Sequence, residues 1–106
     1  MDEVSEQLVV DVIADGEHAT VRVTGELDVH TAHALSEAIT KAFDGGATSI
    51  EVDASSLRFC DSSGIQVLVQ AREQAMARGG VVTVIGVQGP VEKVLTVTGL
   101  LELFTA

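Results

Sequence analysis

The segment that most constrains this chain runs from Ser49 to Ile85. The alternating run Ser49-Ile50-Glu51-Val52-Asp53 reads as a strand, and apolar residues then recur at helical spacing at Ile65, Leu68, Val69 and Met76, with Arg72 the one polar exception on that face. Gly79-Gly80 breaks the helix ahead of Val81-Val82-Thr83-Val84-Ile85, a short and nearly continuous apolar strand. Strand, helix and strand make a βαβ unit. Its second strand is expected parallel to the first, reached by a right-handed crossover and covered on both faces or nearly so.

The flanking segments extend that unit. Leu8 to Ala14 and His18 to Thr24 are β-rich runs on either side of Asp15-Gly16-Glu17, the pattern of an antiparallel hairpin. Val21 and Val23 share a face with Ala19, while Thr20, Arg22 and Thr24 point the other way. Gly25-Glu26-Leu27-Asp28 ends this strand. From Thr31 to Phe43 the residues Ala32, Leu35, Ile39, Ala42 and Phe43 follow the spacing of an amphipathic helix that starts near Asp28 or His30. Asp28 and Thr31 are both candidates to cap it, and Asp44-Gly45-Gly46 stops it. Beyond Ile85, Pro90 suits a first helical position, with Val91, Val94, Leu95 and Thr98 at helical spacing before Gly99. Leu100 to Phe104 reads as a final short strand or a turn. The expected class is α/β: a mixed β-sheet that begins with an antiparallel hairpin, continues through parallel βαβ units and carries about three packed helices.

A chain of 106 residues with 46% hydrophobic content fits one domain, which buries roughly 60–70% of its unfolded surface. Met1 to Gln7 are acidic and polar and read as a loose end. With three Phe and neither Trp nor Tyr the core must be aliphatic, and the aromatic platforms on which single-stranded nucleic acid stacks are missing. A formal net charge of −10 argues further against nucleic acid and against anionic membrane surfaces. There is no apolar run long enough to span a bilayer and no export signal, so the cytoplasm is the expected compartment. Cys60, the lone cysteine, reads as a small buried hydrophobe.

Chemistry concentrates at Asp61-Ser62-Ser63-Gly64, where strand gives way to helix. Asp61 suits the N-cap, because its carboxylate can accept hydrogen bonds from otherwise unpaired first-turn amides. Ser62 and Ser63 then occupy that first turn, where amides and helix dipole favour negative charge, so a phosphate on either hydroxyl is accommodated without unfolding the domain. Asp and Ser also begin helices for capping alone, and that plain reading stands beside the functional one.

Enzyme chemistry lacks its parts. No Gly-x-Ser-x-Gly elbow and no Gly-x-x-x-x-Gly-Lys-Ser/Thr loop occurs, and nothing in the sequence sets His18, His30 or His33 beside Ser62. His30 and His33 lie three apart, but no Cys or third His stands at a matching spacing, so they read as solvent-facing polar residues rather than metal ligands. No catalytic residue, metal or cofactor is expected.

The tetrapeptide Asp61-Ser62-Ser63-Gly64, preceded by a strand ending in Val52-Asp53 and followed by Ile65-Gln66-Val67-Leu68-Val69, resembles the signature of the STAS domain of bacterial anti-sigma-factor antagonists. Gly25-Glu26-Leu27-Asp28 ahead of a helix resembles the second motif of that family, and Val97-Thr98-Gly99-Leu100 a third. The resemblance spans nearly the whole chain in order and implies a single STAS-like domain over residues 1–106. It implies that Ser62 is the phosphorylated position, with Ser63 the alternative, and that an anti-sigma factor which is itself an ATP-dependent serine kinase is the partner. That partner is bound when Ser62 is unphosphorylated, which frees a sigma factor, and a serine phosphatase restores the active form. Asp28, Asp61, Ser63, Gly64 and Gln66 fall on the implied partner-binding surface. Cys60 and Gln66 depart modestly from the family pattern. A scaffold or small-ligand-sensing module of the same fold, never phosphorylated, is the competing reading.

Overall fold

The computed structural model describes residues 7–104. Of the loose end expected over Met1 to Gln7, only Gln7 lies within them, and it is exposed. Four strands, β1 (Leu8–Asp15), β2 (His18–Leu27), β3 (Ser49–Cys60) and β4 (Val82–Ile85), form one sheet in sequence order. Between and after them come α1 (Ala32–Asp44), α2 (Ser62–Ala77), α3 (Gly89–Val97) and the four-residue α4 (Leu101–Phe104). The first pair of strands is antiparallel and the next two pairings are parallel, as the hairpin and βαβ patterns require.

Local chemistry accounts for the elements. Asp15 pairs with His18 across a two-residue loop, and Gly16 supplies its left-handed φ of 64°, which a tight hairpin of this twist needs at its first central position. Pro90 stands in the first turn of α3, where its missing N–H costs nothing. Asp28, rather than Thr31, satisfies the entry to α1: its carboxylate accepts from the amides of His30 at 2.9 Å and Thr31 at 3.2 Å. On α1 the buried residues are Ala32, Leu35, Ile39, Ala42 and Phe43, the face read from the sequence.

All the helices that contribute to the core lie on one side of the sheet. Ala19, Val21 and Val23 of β2, Ile50, Val52 and Ala54 of β3 and Val82 and Val84 of β4 point into a single core with Leu35, Leu68 and Leu95 from α1, α2 and α3. The opposite face is open to solvent. β4 therefore departs from the expectation of a strand covered on both faces: Val82 and Val84 are buried, but Val81 and Ile85 are 57% and 41% exposed. Near-continuous apolarity here marks the end of the layered unit rather than burial on two sides.

Two further features differ from the sequence reading, and one open alternative is resolved. On α2 the buried stripe is Ile65, Leu68, Ala71 and Ala75, which leaves Met76 55% exposed and Arg72 partly exposed beside it. Alanines pack the crossing because they let the helix lie close to the sheet. Of the two alternatives left open for the last segment, strand or turn, Leu101–Phe104 takes the turn, in helical form, and it places Phe104 in the core with no exposure at all. The second difference is the length of β3, which continues past Asp53 to Cys60.

That extension has a specific cause. β3 carries two extra residues relative to β2, because Arg22 pairs with Asp53 but Thr24 with Ser56, and Gly25 pairs with Leu57 but Glu26 with Phe59. Each is a one-residue bulge, which inserts an unpaired position and re-aims the side chains that follow. Ala54, Leu57 and Cys60 are buried while the pairs between them are exposed, a spacing of three that is neither strand nor helix.

Candidate functional site

The two parallel strands β2 and β3 end side by side. Leu27 pairs with Cys60, and the amide of the next residue, Asp61, donates to the carbonyl oxygen of Leu27 at 3.1 Å. The chain leaving β2 forms the Asp28 turn into α1, and the chain leaving β3 passes through Asp61 straight into α2. Carboxyl ends of adjacent parallel strands are where α/β sheets gather their functional groups, and both motifs singled out in the sequence meet there.

Asp61 is the N-cap of α2, with its carboxylate accepting from the amide of Ser63 at 2.9 Å. Ser62 is the first residue of the helix and is exposed; its hydroxyl makes no hydrogen bond among the described residues. Ser63 is half-buried, and Gln66, one helical turn beyond Ser62, is exposed on the same side of α2. Gly64 does not lie on the surface that the resemblance gave it. It is buried, and a side chain there would come within 2.6 Å of Leu27 Cδ2 and 2.7 Å of Cys60 Sγ. The absence of a Cβ lets the first turn of α2 sit directly on the ends of β2 and β3.

A buried hydroxyl braces the neighbouring turn. Thr31 is 1% exposed; its Oγ1 donates to the carbonyl of Glu26 at 2.9 Å and accepts from the amide of Asp28 at 2.9 Å. Its own amide donates to the carbonyl of Asp28 at 3.1 Å. The Asp28 carboxylate is thus committed to shaping its own loop and stays half-buried. Val29, at the crest of this loop, is 67% exposed, and Phe59, just before Asp61, is 45% exposed. Arg58 Nη2 lies 3.6 Å from Glu26 Oε2 beside Phe59. Sequence reading missed Val29 and Phe59 as surface residues; an apolar residue next to each motif was the available signal, and the bulges in β3 concealed which way Phe59 points.

Cys60 lies beneath the site. It is 2% exposed, and burial together with the neighbouring Asp61 charge pushes its thiol up to about 11. The thiol stays protonated at neutral pH and is inert as a nucleophile. Among the described residues no three His, Cys, Asp or Glu side chains gather as a metal site would require, and no helix is long and apolar enough to cross a membrane.

An exposed serine at the tip of a helix, beside a second turn at the carboxyl ends of two parallel strands, marks this as a small α/β domain with its candidate site on one rim of the sheet. The chain belongs to the STAS-domain family: residues 10–105 match the family model described as Mlab, STAS domain. It is 31% identical over 84 residues to the anti-sigma F factor antagonist of Paenibacillus polymyxa, which covers 78% of this chain and 72% of that protein. Its fold matches the anti-sigma factor antagonist SpoIIAA in unphosphorylated form with a TM-score of 0.80 at 27% identity, covering 90% of this chain and 84% of that one. The Bacillus cell fate determinant SpoIIAA in phosphorylated form matches with a TM-score of 0.72 at 26% identity, over 90% and 87% of the two chains.

Proposed function

We propose that this chain is a phosphorylation-switched anti-sigma-factor antagonist. With Ser62 unmodified it binds, in the cytoplasm, an anti-sigma factor that is a serine kinase, and so releases a sigma factor. Phosphorylation of Ser62 ends the complex, and a serine phosphatase restores it. The observation that carries the reading is the exposed Ser62 hydroxyl at the first position of α2, beside the Asp28 turn. The likeness to a protein solved in both unphosphorylated and phosphorylated forms supports it.

The physical account needs no change of shape. Val29 and Phe59 supply apolar area on which a partner can close, with Asp28, Asp61, Ser63 and Gln66 around Ser62. Gly64 acts from below by packing. A phosphoserine adds about −1.5 to −2 charges, on a chain whose formal charge is already −10. Within a closed interface that dianion must be desolvated beside the carboxylates of Asp28 and Asp61. A loss of about 3 kcal/mol on this account weakens the complex roughly a hundredfold. The chain itself contributes no catalytic group to the exchange; the transfer of phosphate belongs to the partner.

Incubation with ATP and a candidate anti-sigma-factor serine kinase, followed by mapping of phosphate by mass spectrometry, tests the reading. Phosphate at Ser62 is expected, with Ser63 the less exposed alternative. Phosphate confined to other residues contradicts the proposal. An unmodified protein that still binds its partner would favour the scaffold or ligand-sensing reading.

A further inference from the structure

The sheet has two edges, and they are finished differently. β4 is four residues long, and α4 packs along it. β1 is eight residues long, and among the described residues it pairs only with β2. Its pairing is unshifted over its whole length, with no bulge, and Leu8-Val9-Val10-Asp11-Val12-Ile13-Ala14-Asp15 contains neither Pro nor Lys. Bulges, Pro and Lys are among the usual means of keeping an edge strand from pairing with another chain, and the only charges β1 carries are the carboxylates Asp11 and Asp15. Instead Val9, Val12 and Ile13 are 48%, 42% and 67% exposed.

Above this edge lies a groove of about 400 Å³ between β1 and α1, lined by Val10, Val12, Ala14 and Ala38, with Glu37 and Lys41 among its lining residues. Both charged residues are exposed, and neither makes an ion pair among the described residues. The helix segment 37–41 lies against the strand segment 10–14, and the two have their midpoints at Ile39 and Val12. A two-fold axis through the edge at Val12 would therefore set two α1 helices antiparallel, with Glu37 of each copy toward Lys41 of the other. Antiparallel pairing about Val12 also sets Asp11 opposite Ile13 and Val9 opposite Asp15, so no two carboxylates fall directly across from one another.

We infer that β1 and the groove above it form an isologous interface with a second copy of this chain, joining two sheets edge to edge. Opposite charges placed symmetrically on one face favour a self-complementary partner over an unrelated strand. The interface is separate from the proposed phosphorylation site, since β1 is divided from β3 by β2 and the groove opens toward Gly16, at the far end of β2 from Asp28. The dimer would carry two independent copies of Ser62, and the inference stands or falls apart from the function proposed for that residue.

Sedimentation equilibrium of the purified chain at about 0.15 M salt, where long-range repulsion is screened, tests it. A concentration-dependent dimer is expected, and Val12→Lys should abolish it. Glu37→Lys alone, which turns two attractive contacts into repulsive ones, should weaken the dimer about tenfold, and Glu37→Lys with Lys41→Glu should restore it. If Val12→Lys fails to fold by circular dichroism, the charge series on the exposed face of α1 decides alone. A monomer at every concentration, a dimer indifferent to Val12→Lys or a paired reversal that restores nothing would each overturn the proposal. A monomer whose β1 amides resist hydrogen exchange would also overturn it, and would mean that the chain covers its own edge.

Discussion

The amide of Asp61 donates to the carbonyl oxygen of Leu27 across 3.1 Å. The two motifs at the candidate site are therefore joined through the main chain, and side-chain substitution at the surface leaves that junction in place. Ser62→Ala should shift stability by no more than about 0.5 kcal/mol, keep kinase binding and abolish phosphorylation. Ser62→Asp should weaken binding, though less than phosphate does because it brings a single charge. Titration calorimetry against the kinase checks both. Equal affinity of Ser62→Asp and the parent would sink the electrostatic account.

Gly64→Ala is the sharper structural test. Its new methyl would meet Leu27 Cδ2 at 2.6 Å and Cys60 Sγ at 2.7 Å, and overpacking of this kind costs about 1–3 kcal/mol. Chemical denaturation should show that loss, and Leu27→Ala combined with Gly64→Ala should recover part of it. Strict additivity of the two changes would mean that the pair is not in contact as described.

Removing the hydroxyl of Thr31 while keeping its shape separates hydrogen bonding from packing. In Thr31→Val the Glu26 carbonyl and the Asp28 amide lose their buried partner, at about 1–3 kcal/mol, whereas Thr31→Ser should retain most of the stability. Faster hydrogen exchange of the Asp28 amide in the valine variant is the local readout. Unchanged exchange there would show that the turn is held by other means.

Cys60 gives a pH dependence whose sign can be stated. Its folded value, raised to about 11 from the usual 9.0, means that folding favours the protonated thiol. The associated stability is complete below the unfolded value and is lost as pH rises from about 9 through about 11. Cys60→Ala should flatten that part of the alkaline stability profile. At neutral pH a thiol-specific reagent should label the unfolded chain and spare the folded one; rapid labelling of the native protein would contradict the burial.

Much of this architecture was legible because residues and geometry agreed over short distances. Ala19, Val21 and Val23 alternate, Leu35 and Ile39 keep helical spacing, and Gly16 and Pro90 stand where turn and helix start demand them. The tip of α2 could be read because Asp61 caps in the ordinary way. The second half of β3 could not, because two bulges turned its alternation into burial at every third residue from Ala54 to Cys60. The depth of Gly64 and Thr31 was hidden for a related reason: each is set by residues at the end of another strand, a relation that no local spacing records. Val29 and Phe59 look like core residues by type, and only the bending of the chain around them turns them outward.

The hydroxyl of Ser62 takes part in none of the bonds that hold its own helix in place. Uncharged residues can therefore be exchanged at that position with little disturbance of the architecture beneath it, since they leave the helix dipole unaltered. Affinities measured across such a series would report recognition alone, free of the folding penalties that usually confuse mutational surveys of an interface.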